Sequence, residues 1–250
     1  MSVVSRPAFP AFLPAAGWFV LNALQLLVMI LVTLAGMPVA FLVALAAGPA
    51  LRMAAWYWAP LLLRGAGAKL VVEGAEQVDW SRPLVLTSNH ASMIDICALF
   101  RGVPVPLRFM LKRELARVPL VGWYAAAMGM VFIDRGNARD ARRKLGDAVE
   151  RLRAGAALIA FPEGTRSKDG TIAAFKGGAF QVAIEAGVPV VPVAIVGASR
   201  VLPPSGFRVR PGTIRVRFGA PIETQGLSPQ ERNALAQRTR DVVVALNGHG

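Results

Sequence analysis

The chain has 250 residues and a net charge of +13 at pH 7, and 54% of its residues are hydrophobic. This length suits one domain with a sizeable core and an appended segment. The single cysteine, Cys97, excludes an intramolecular disulfide and a cysteine-rich metal site, which fits a cytosolic environment.

The N-terminal segment is the most apolar part of the chain, because no charged residue occurs from Pro7 to Leu51. A membrane-spanning helix needs about 20 apolar residues, and the first leg, residues 15–35, is long enough. The second leg, residues 38–47, is short and is followed by the helix breaker Gly48-Pro49. We therefore predict a hydrophobic helix hairpin, one or both of whose legs lie within a single leaflet, in preference to two full spans.

This segment divides the chain in two. Residues 1–63 are predicted to form the membrane-associated helix hairpin, and residues 64–250 the functional domain. A cleaved signal peptide is disfavoured, because only Arg6 precedes the apolar stretch and that stretch is far too long. A buried core hairpin of a soluble protein remains the alternative.

Strand and helix patterns alternate beyond the hairpin. An alternation of this kind predicts an α/β sandwich with a largely parallel sheet flanked by helices. The predicted strands are residues 69–73, 83–87, 130–133, 156–161, 190–196 and 213–218. One helix is predicted directly after His90, and three more cover residues 119–128, 138–153 and 175–186. A capping box at Ser228 and Glu231 begins a last helix that ends near Leu246.

A histidine and a carboxylate follow the second predicted strand at H-x4-D spacing, as His90 and Asp95. The other histidine, His249, stands next to last in the chain, so histidine proton chemistry points to His90. On one continuous helix the two side chains would lie about 140° apart, so we place His90 in a loop and Asp95 in the first turn of the next helix. Asp95 can then hold one ring nitrogen and leave the other to deprotonate a hydroxyl.

The same residues also fit a plain helix-capping segment. Asn89 or Ser92 would then be the N-cap, Asp95 would lie near the positive end of the helix, and His90 would be incidental. The spacing alone does not separate the two interpretations.

A second polar run ends the fourth predicted strand, with Glu163, Gly164, Thr165 and Arg166 in sequence. A Gly-Thr turn after a strand exposes backbone N–H groups, and the arginine fork matches the geometry of a phosphate. Glu163 can hold Arg166 or accept a hydrogen bond from a substrate hydroxyl. The alternative is a polar turn with a surface pair of Arg166 and Glu163, which contributes little stability.

Together these runs resemble the glycerolipid acyltransferase family in four blocks that stand in the family's order. Residues 89–95 are similar to the family's NHxSxxD motif, and residues 129–135 to its second motif. Residues 161–167 match the FPEGTRS motif, and residues 188–193 are similar to the fourth, proline-centred motif. Lys112-Arg113-Glu114-Leu115, with Pro119 and Gly122, also resembles bacterial 1-acylglycerol-3-phosphate acyltransferases. The resemblance covers residues 69–222.

The resemblance implies a role for each motif residue. His90 is implied to be the catalytic base and Asp95 its supporting acid. The acceptor-binding positions are implied to be Arg135, Glu163, Gly164, Thr165 and Arg166. We further expect Lys112 or backbone N–H groups to stabilise the oxyanion.

No metal or bound cofactor is expected, because one usable histidine makes a poor metal cluster. An acyl-enzyme is not expected either, because the chain lacks a G-x-S-x-G motif and Cys97 is predicted to be a core residue.

The implied reaction moves a fatty acyl group from acyl-CoA or acyl carrier protein (ACP) to the sn-2 hydroxyl of 1-acyl-sn-glycerol-3-phosphate. The product is phosphatidic acid, an intermediate of phospholipid synthesis. Two alternatives use the same pair of residues: acylation of another lysolipid such as a lyso-ornithine lipid, and lipid hydrolysis. A basic binding protein would explain the charge but not the four ordered blocks.

The charge is concentrated beyond the hairpin, since residues 1–63 contribute only Arg6 and Arg52. A basic body beside an apolar hairpin suits an anionic membrane surface, and we expect the inner membrane, with the catalytic domain on the cytoplasmic side. Nucleic acid is not an expected partner, because no binding module is recognisable and aromatic residues do not alternate with basic ones.

Overall fold

The computed structural model describes residues 15–47, 50–119, 121–133, 138–205 and 208–248. The strands are β1 (Ala68–Glu73), β2 (Leu84–Ser88), β3 (Leu107–Lys112), β4 (Val131–Ile133), β5 (Ala157–Ala160), β6 (Val190–Val196) and β7 (Gly212–Phe218). The longer α-helices are α1 (Ala15–Ala47), α4 (Ile94–Gly102), α6 (Ala138–Arg153), α7 (Gly178–Ala186) and α9 (Arg232–Gly248). The shorter ones are α2 (Ala50–Met53), α3 (Ala59–Gly65), α5 (Val121–Ala127) and α8 (Ala198–Val201).

The strands form one seven-stranded sheet in the order β1-β7-β6-β2-β5-β3-β4. Every neighbouring pair is parallel except β6 and β7. Strands β2 and β5 are buried along their whole length, as expected for central strands of a parallel sheet that helices cover on both faces. The predicted α/β sandwich with a largely parallel sheet is confirmed.

Strand β3 was not predicted. Its buried residues Leu107, Phe109 and Met110 do not alternate strictly with polar ones, and Pro104 and Pro106 precede it as in a turn. The segment becomes a strand because it lies between β5 and β4 and pairs with both. Contacts with distant segments thus override a weak local pattern.

The N-terminal hairpin differs from the predicted one. Helix α1 runs through Pro38 without interruption, so the predicted division into legs at residues 15–35 and 38–47 is wrong. A proline removes one backbone donor, and an apolar helix of 33 residues keeps the rest of its hydrogen bonds.

The return leg of the hairpin consists of α2, a π-helical turn at Ala54–Trp58, and α3. Two hydrogen bonds join it to α1: Gln25 donates to the Gly65 carbonyl at 3.3 Å, and Trp58 donates to Thr33 Oγ1 at 3.2 Å. Since the later residue of α1 contacts the earlier residue of the return leg, the two legs are antiparallel.

Helix α1 is long and apolar enough to cross a membrane over Phe19–Gly36, and that window has a mean hydropathy of 2.2 with no residue buried in the protein. The return leg is different, since Ala54, Leu62 and Leu63 are buried in the main core. The division of the chain at residue 63 stays a prediction, and that boundary falls inside α3.

Two hydrophobic layers cover the sheet. One packs α3 and α4 against it through residues such as Leu99 and Phe100. The other packs α6, α7 and α9 through residues such as Val149, Phe180 and Leu235. The carboxyl ends of β2, β5 and β3 share one edge of the sheet because these strands are parallel, and the loops that carry the candidate residues follow them at that edge.

Candidate active site

The structure brings His90 and Asp95 together in the turn between β2 and α4. His90 Nδ1 lies 2.8 Å from Asp95 Oδ2, and Asp95 belongs to the first turn of α4, as the spacing predicted. The imidazole Nε2 has no hydrogen-bond partner among the described residues, which leaves it available to a substrate. The pair thus has the geometry of a histidine base with an orienting carboxylate.

Asp95 also fixes the turn that precedes α4, whereas the N-cap residue of that helix is Met93 and no side chain caps it, so the N-cap at Asn89 or Ser92 that the alternative interpretation assigned is not formed. Its fully buried Oδ2 accepts the backbone N–H groups of Ala91 and Ser92, each at 2.8 Å, in addition to the imidazole. Three donors on one oxygen hold the carboxylate in a single orientation. The same oxygen therefore orients His90 and holds the backbone of the turn that carries it.

Two neighbours of His90 were not identified from the sequence. Phe161 stacks on the imidazole, with ring centroids 3.9 Å apart and 13° between the planes. Asn89 donates to the Ile195 carbonyl at 3.0 Å and accepts from its N–H at 2.8 Å, which ties the start of the loop to β6. Both stand inside the quoted motifs, but spacing cannot show which distant residue each one meets.

Glu163 connects the two motif loops in a way that the sequence did not indicate. Its Oε1 accepts the backbone N–H of His90 at 2.7 Å, and its Oε2 accepts that of Ala173 at 3.0 Å. The pair of Glu163 with Arg166, one of the options that the sequence left open, is not formed. Burial raises the pKa of Glu163, although both backbone donors favour its charged form.

Replacing Glu163 with glutamine should destabilise this junction. The amide retains one acceptor oxygen, so one of the two backbone N–H groups would face an NH2 group and lose its partner. An unsatisfied buried donor costs about 1–3 kcal/mol, and we expect the free energy of unfolding to fall by that amount in denaturant titrations. Glu76→Gln, at an exposed site, is the matched control, and equal stability of both variants would contradict the junction role.

Arg166 lies on the wall of an apolar groove. It is partly buried and forms no hydrogen bond or ion pair with any residue that the structure describes. The groove has a volume of about 560 Å³ and lies between α1 and the loop after α8. Its walls include Leu26, Ile30 and Leu34 of α1, and Met93 from the turn that carries His90.

The remaining residues of this turn complete the link between the loops. Gly164 adopts a φ of +83°, which favours glycine, and Thr165 is exposed. The Ser167 N–H donates to the His90 carbonyl at 2.8 Å. The His90 turn and the Arg166 turn are therefore joined on both sides of His90, through Glu163 and through Ser167.

The other candidate residues belong to segments outside the His90 turn and the Arg166 turn. Lys112 ends β3 at the same edge of the sheet, but its exposed ammonium group pairs with Glu114 at 2.8 Å. Arg135 lies outside the described residues. Cys97 is buried in α4, which confirms the predicted core position, and burial raises the pKa of its thiol to about 12.

Comparison with known proteins gives consistent matches. A family model described as Acyltransferase matches residues 69–196. The chain is 37% identical over 156 residues to the chloroplastic 1-acyl-sn-glycerol-3-phosphate acyltransferase LPAT1 of Arabidopsis thaliana, covering 62% of this chain and 44% of that protein. It is 33% identical over 181 residues to 1-acyl-sn-glycerol-3-phosphate acyltransferase alpha of Homo sapiens, covering 72% of this chain and 64% of that one.

A solved structure is similar over almost the whole chain. The crystal structure of the 1-acyl-sn-glycerophosphate (LPA) acyltransferase PlsC from Thermotoga maritima superposes with a TM-score of 0.77 and 25% sequence identity, covering 93% of this chain and 96% of that chain. The matched segment spans about half the length of the plant relative and under two thirds of the human one. With the family match over half of the chain, these likenesses show that the protein belongs to the glycerolipid acyltransferase family.

Proposed function

We propose that the protein transfers a fatty acyl group from acyl-CoA or acyl-ACP to the sn-2 hydroxyl of 1-acyl-sn-glycerol-3-phosphate, giving phosphatidic acid. The observation that carries this proposal is the joined pair of motif loops. One loop presents a histidine oriented by Asp95, and the other presents an unpaired arginine on an apolar groove. The relatives whose names specify this activity support the choice of acceptor.

The chemistry follows from the free imidazole nitrogen. His90 Nε2 accepts the proton of the acceptor hydroxyl while the hydroxyl oxygen attacks the thioester carbonyl carbon. The resulting tetrahedral intermediate collapses, the carbon–sulfur bond breaks, and the thiolate takes the proton from the imidazolium. Asp95 stabilises the imidazolium between these two transfers. No covalent acyl-enzyme is required.

The groove suits a lysolipid acceptor. The phosphate would lie against the Arg166 guanidinium, together with Arg135 and with the polar turn at Gly164 and Thr165. The acyl chain would lie along the apolar residues that α1 contributes to the groove. Such an arrangement places the sn-2 hydroxyl, which stands between phosphate and chain, towards His90.

The oxyanion of the intermediate needs hydrogen-bond donors. Lys112 would have to release Glu114 to reach it, since its ammonium group is bound there. Backbone N–H groups of the motif turns are the alternative, and they need no such rearrangement. A Lys112→Ala variant with full activity would assign the task to the backbone.

The full-length protein with labelled acyl-CoA and, separately, labelled acyl-ACP tests the reaction. The acceptor panel contains lysophosphatidate, lysophosphatidylcholine, a lyso-ornithine lipid and no lipid. Labelled phosphatidic acid as the main product supports the proposal. Preference for lyso-ornithine lipid, or release of free fatty acid without acceptor, would replace it with one of the two alternatives.

We place the protein at the inner membrane, with the catalytic domain on the cytoplasmic side. Support comes from the exposed apolar window of α1, from Trp56 at 72% exposure on the return leg, and from the positive net charge. Exposed tryptophan next to an apolar helix is typical of the membrane interface.

Lysine at the outer face of α1 should weaken membrane binding. Leu27 and Leu31 are 50% and 54% exposed and do not line the groove. A lysine at the centre of a membrane helix costs about 2.5–3.5 kcal/mol, so Leu27→Lys with Leu31→Lys should sharply reduce flotation with neutral vesicles. Val244→Lys, at a 41% exposed site on α9, is the control. Equal flotation of the wild type, the double variant and the Val244→Lys control would refute membrane insertion of α1.

A further inference from the structure

A second cavity lies at the edge of the sheet opposite to His90. It has a volume of about 450 Å³ and is lined by Arg82, Arg108 and Arg151. Its other residues come from segments just before β2, β3 and β5, whereas His90 follows the carboxyl end of β2. The cavity is therefore separate from the candidate active site.

The three arginines differ in their partners. Arg82 pairs with Glu223. Arg108 and Arg151 form no hydrogen bond or ion pair with any residue in the described part of the chain. The acidic residue beside Arg151 in sequence, Glu150, pairs with Arg153 at 2.7 Å and so does not neutralise Arg151. Arg108 and Arg151 are thus left without an acidic partner among the residues that the structure describes.

The two unpaired guanidinium groups converge on Gly129. A Cβ atom on that glycine would lie 2.9 Å from Arg151 Nη1 and 3.3 Å from Arg108 Nε, so the two groups are close neighbours. Arg108 Nε is buried and has no acceptor. Burial lowers the pKa of Arg108, and the neighbouring charge of Arg151 lowers it further. A buried donor without a partner and a like-charge pair are both unfavourable.

A bound oxyanion removes both penalties at once. We propose that Arg108 and Arg151 form a second anion site, which binds the phosphate group of a soluble phosphate ester or of an anionic lipid headgroup. Guanidinium forks match phosphate oxygens, and one such oxygen supplies the acceptor that Arg108 Nε lacks. The cavity volume falls within the usual range of small-molecule sites, about 300–1,000 Å³. Trp80 and Pro106 give it apolar walls for the remainder of the ligand.

Calorimetric titration of the full-length protein in detergent with inorganic phosphate tests the site, at constant ionic strength. All variants carry Arg166→Ala and Arg135→Ala, so that the two arginines proposed to bind the acceptor phosphate contribute no binding. Phosphate should bind this background, and Arg108→Gln or Arg151→Gln should weaken binding by about 10–150-fold, the range for a charged hydrogen bond. Arg153→Gln, on the same helix but paired with Glu150, is the matched control and should leave the affinity unchanged.

Two further arms identify the source of the phosphate. Competition by glycerol 3-phosphate indicates a soluble ester, and retention on phosphatidylcholine vesicles containing phosphatidic acid that depends on Arg108 and Arg151 indicates a lipid headgroup. Absence of phosphate binding to the background that lacks Arg135 and Arg166 overturns the proposal, as does binding that Arg108→Gln and Arg151→Gln leave intact. Because Arg151 is exposed, its variant tests the site even if Arg108→Gln does not fold. The readout is binding, so it is independent of acyl transfer.

Discussion

Replacing His90 with alanine should lower the rate of acyl transfer by about 10²–10⁴-fold, the usual contribution of a general base. The imidazole is the only candidate proton acceptor in the motif turn with a free nitrogen, and its other nitrogen is bound to Asp95. The backbone contacts of residue 90 with Glu163 and Ser167 do not need the side chain, so the turn should keep its shape.

Asp95→Asn should lower the rate of acyl transfer by a comparable factor, for a different reason. Asparagine keeps an oxygen that can accept the N–H groups of Ala91 and Ser92, so the turn before α4 is retained. The imidazole contacts this same oxygen, so what asparagine lacks is the negative charge that stabilises the protonated imidazole. The two variants separate the proton acceptor from the group that orients it.

Single-turnover kinetics with labelled acyl donor and lysophosphatidate measure both losses, and a melting curve for each variant checks the fold. Ser167→Ala is a suitable control in the neighbouring turn, because the Ser167 contact with His90 uses only backbone atoms. A folded His90→Ala protein that keeps more than about a tenth of the wild-type rate would contradict the base role, given the usual contribution.

Replacing Arg166 with alanine should raise the half-saturating lysophosphatidate concentration by about 10–150-fold, since a charge-assisted hydrogen bond contributes about 1.5–3 kcal/mol. The half-saturating concentration of the acyl donor should change much less. Arg166→Lys should recover part of the loss, because an ammonium group cannot make the planar two-pronged contact. Arg135→Ala is likewise expected to raise the half-saturating concentration of lysophosphatidate more than that of the acyl donor.

The structure also predicts how the Arg166→Ala substitution affects stability. A structural role for Arg166 would require a protein partner, and the described residues provide none. The variant should therefore melt like the wild type, within the roughly 0.5 kcal/mol typical of surface substitutions. Lys168→Ala, two residues further along and exposed, is the charge-matched control. Equal losses for lysophosphatidate and for a lysolipid without a phosphomonoester would refute the phosphate contact.

The sequence predicted the fold class and most elements because their signals are local. Apolar segments that alternate with helix patterns predicted six of the strands of the sheet, and the reciprocal capping box of Ser228 and Glu231 is formed as expected. The H-x4-D spacing predicted the contact between His90 and Asp95, since it spans one turn between a strand and a helix. Each of these depends on residues a few positions apart.

The continuous helix through Pro38 shows where such local signals fail. Proline is a helix breaker in most contexts, but the apolar residues on either side favour a single long helix. The true return leg begins beyond Gly48-Pro49 and is defined by contacts such as that of Trp58 with Thr33. A turn signal indicates where a chain can reverse, and packing decides where it does.

The sequence by itself determined the fold class, the candidate base with its carboxylate, and the apolar, basic character that suits a membrane surface. Only the tertiary structure decided that Glu163 holds the His90 backbone from 73 residues away, that Arg166 has no partner among the described residues, and that Arg108 and Arg151 converge on Gly129. The physical reason is distance along the chain. A local pattern constrains backbone conformation and burial, whereas the partner of a polar side chain depends on which remote segment the sheet order brings to it.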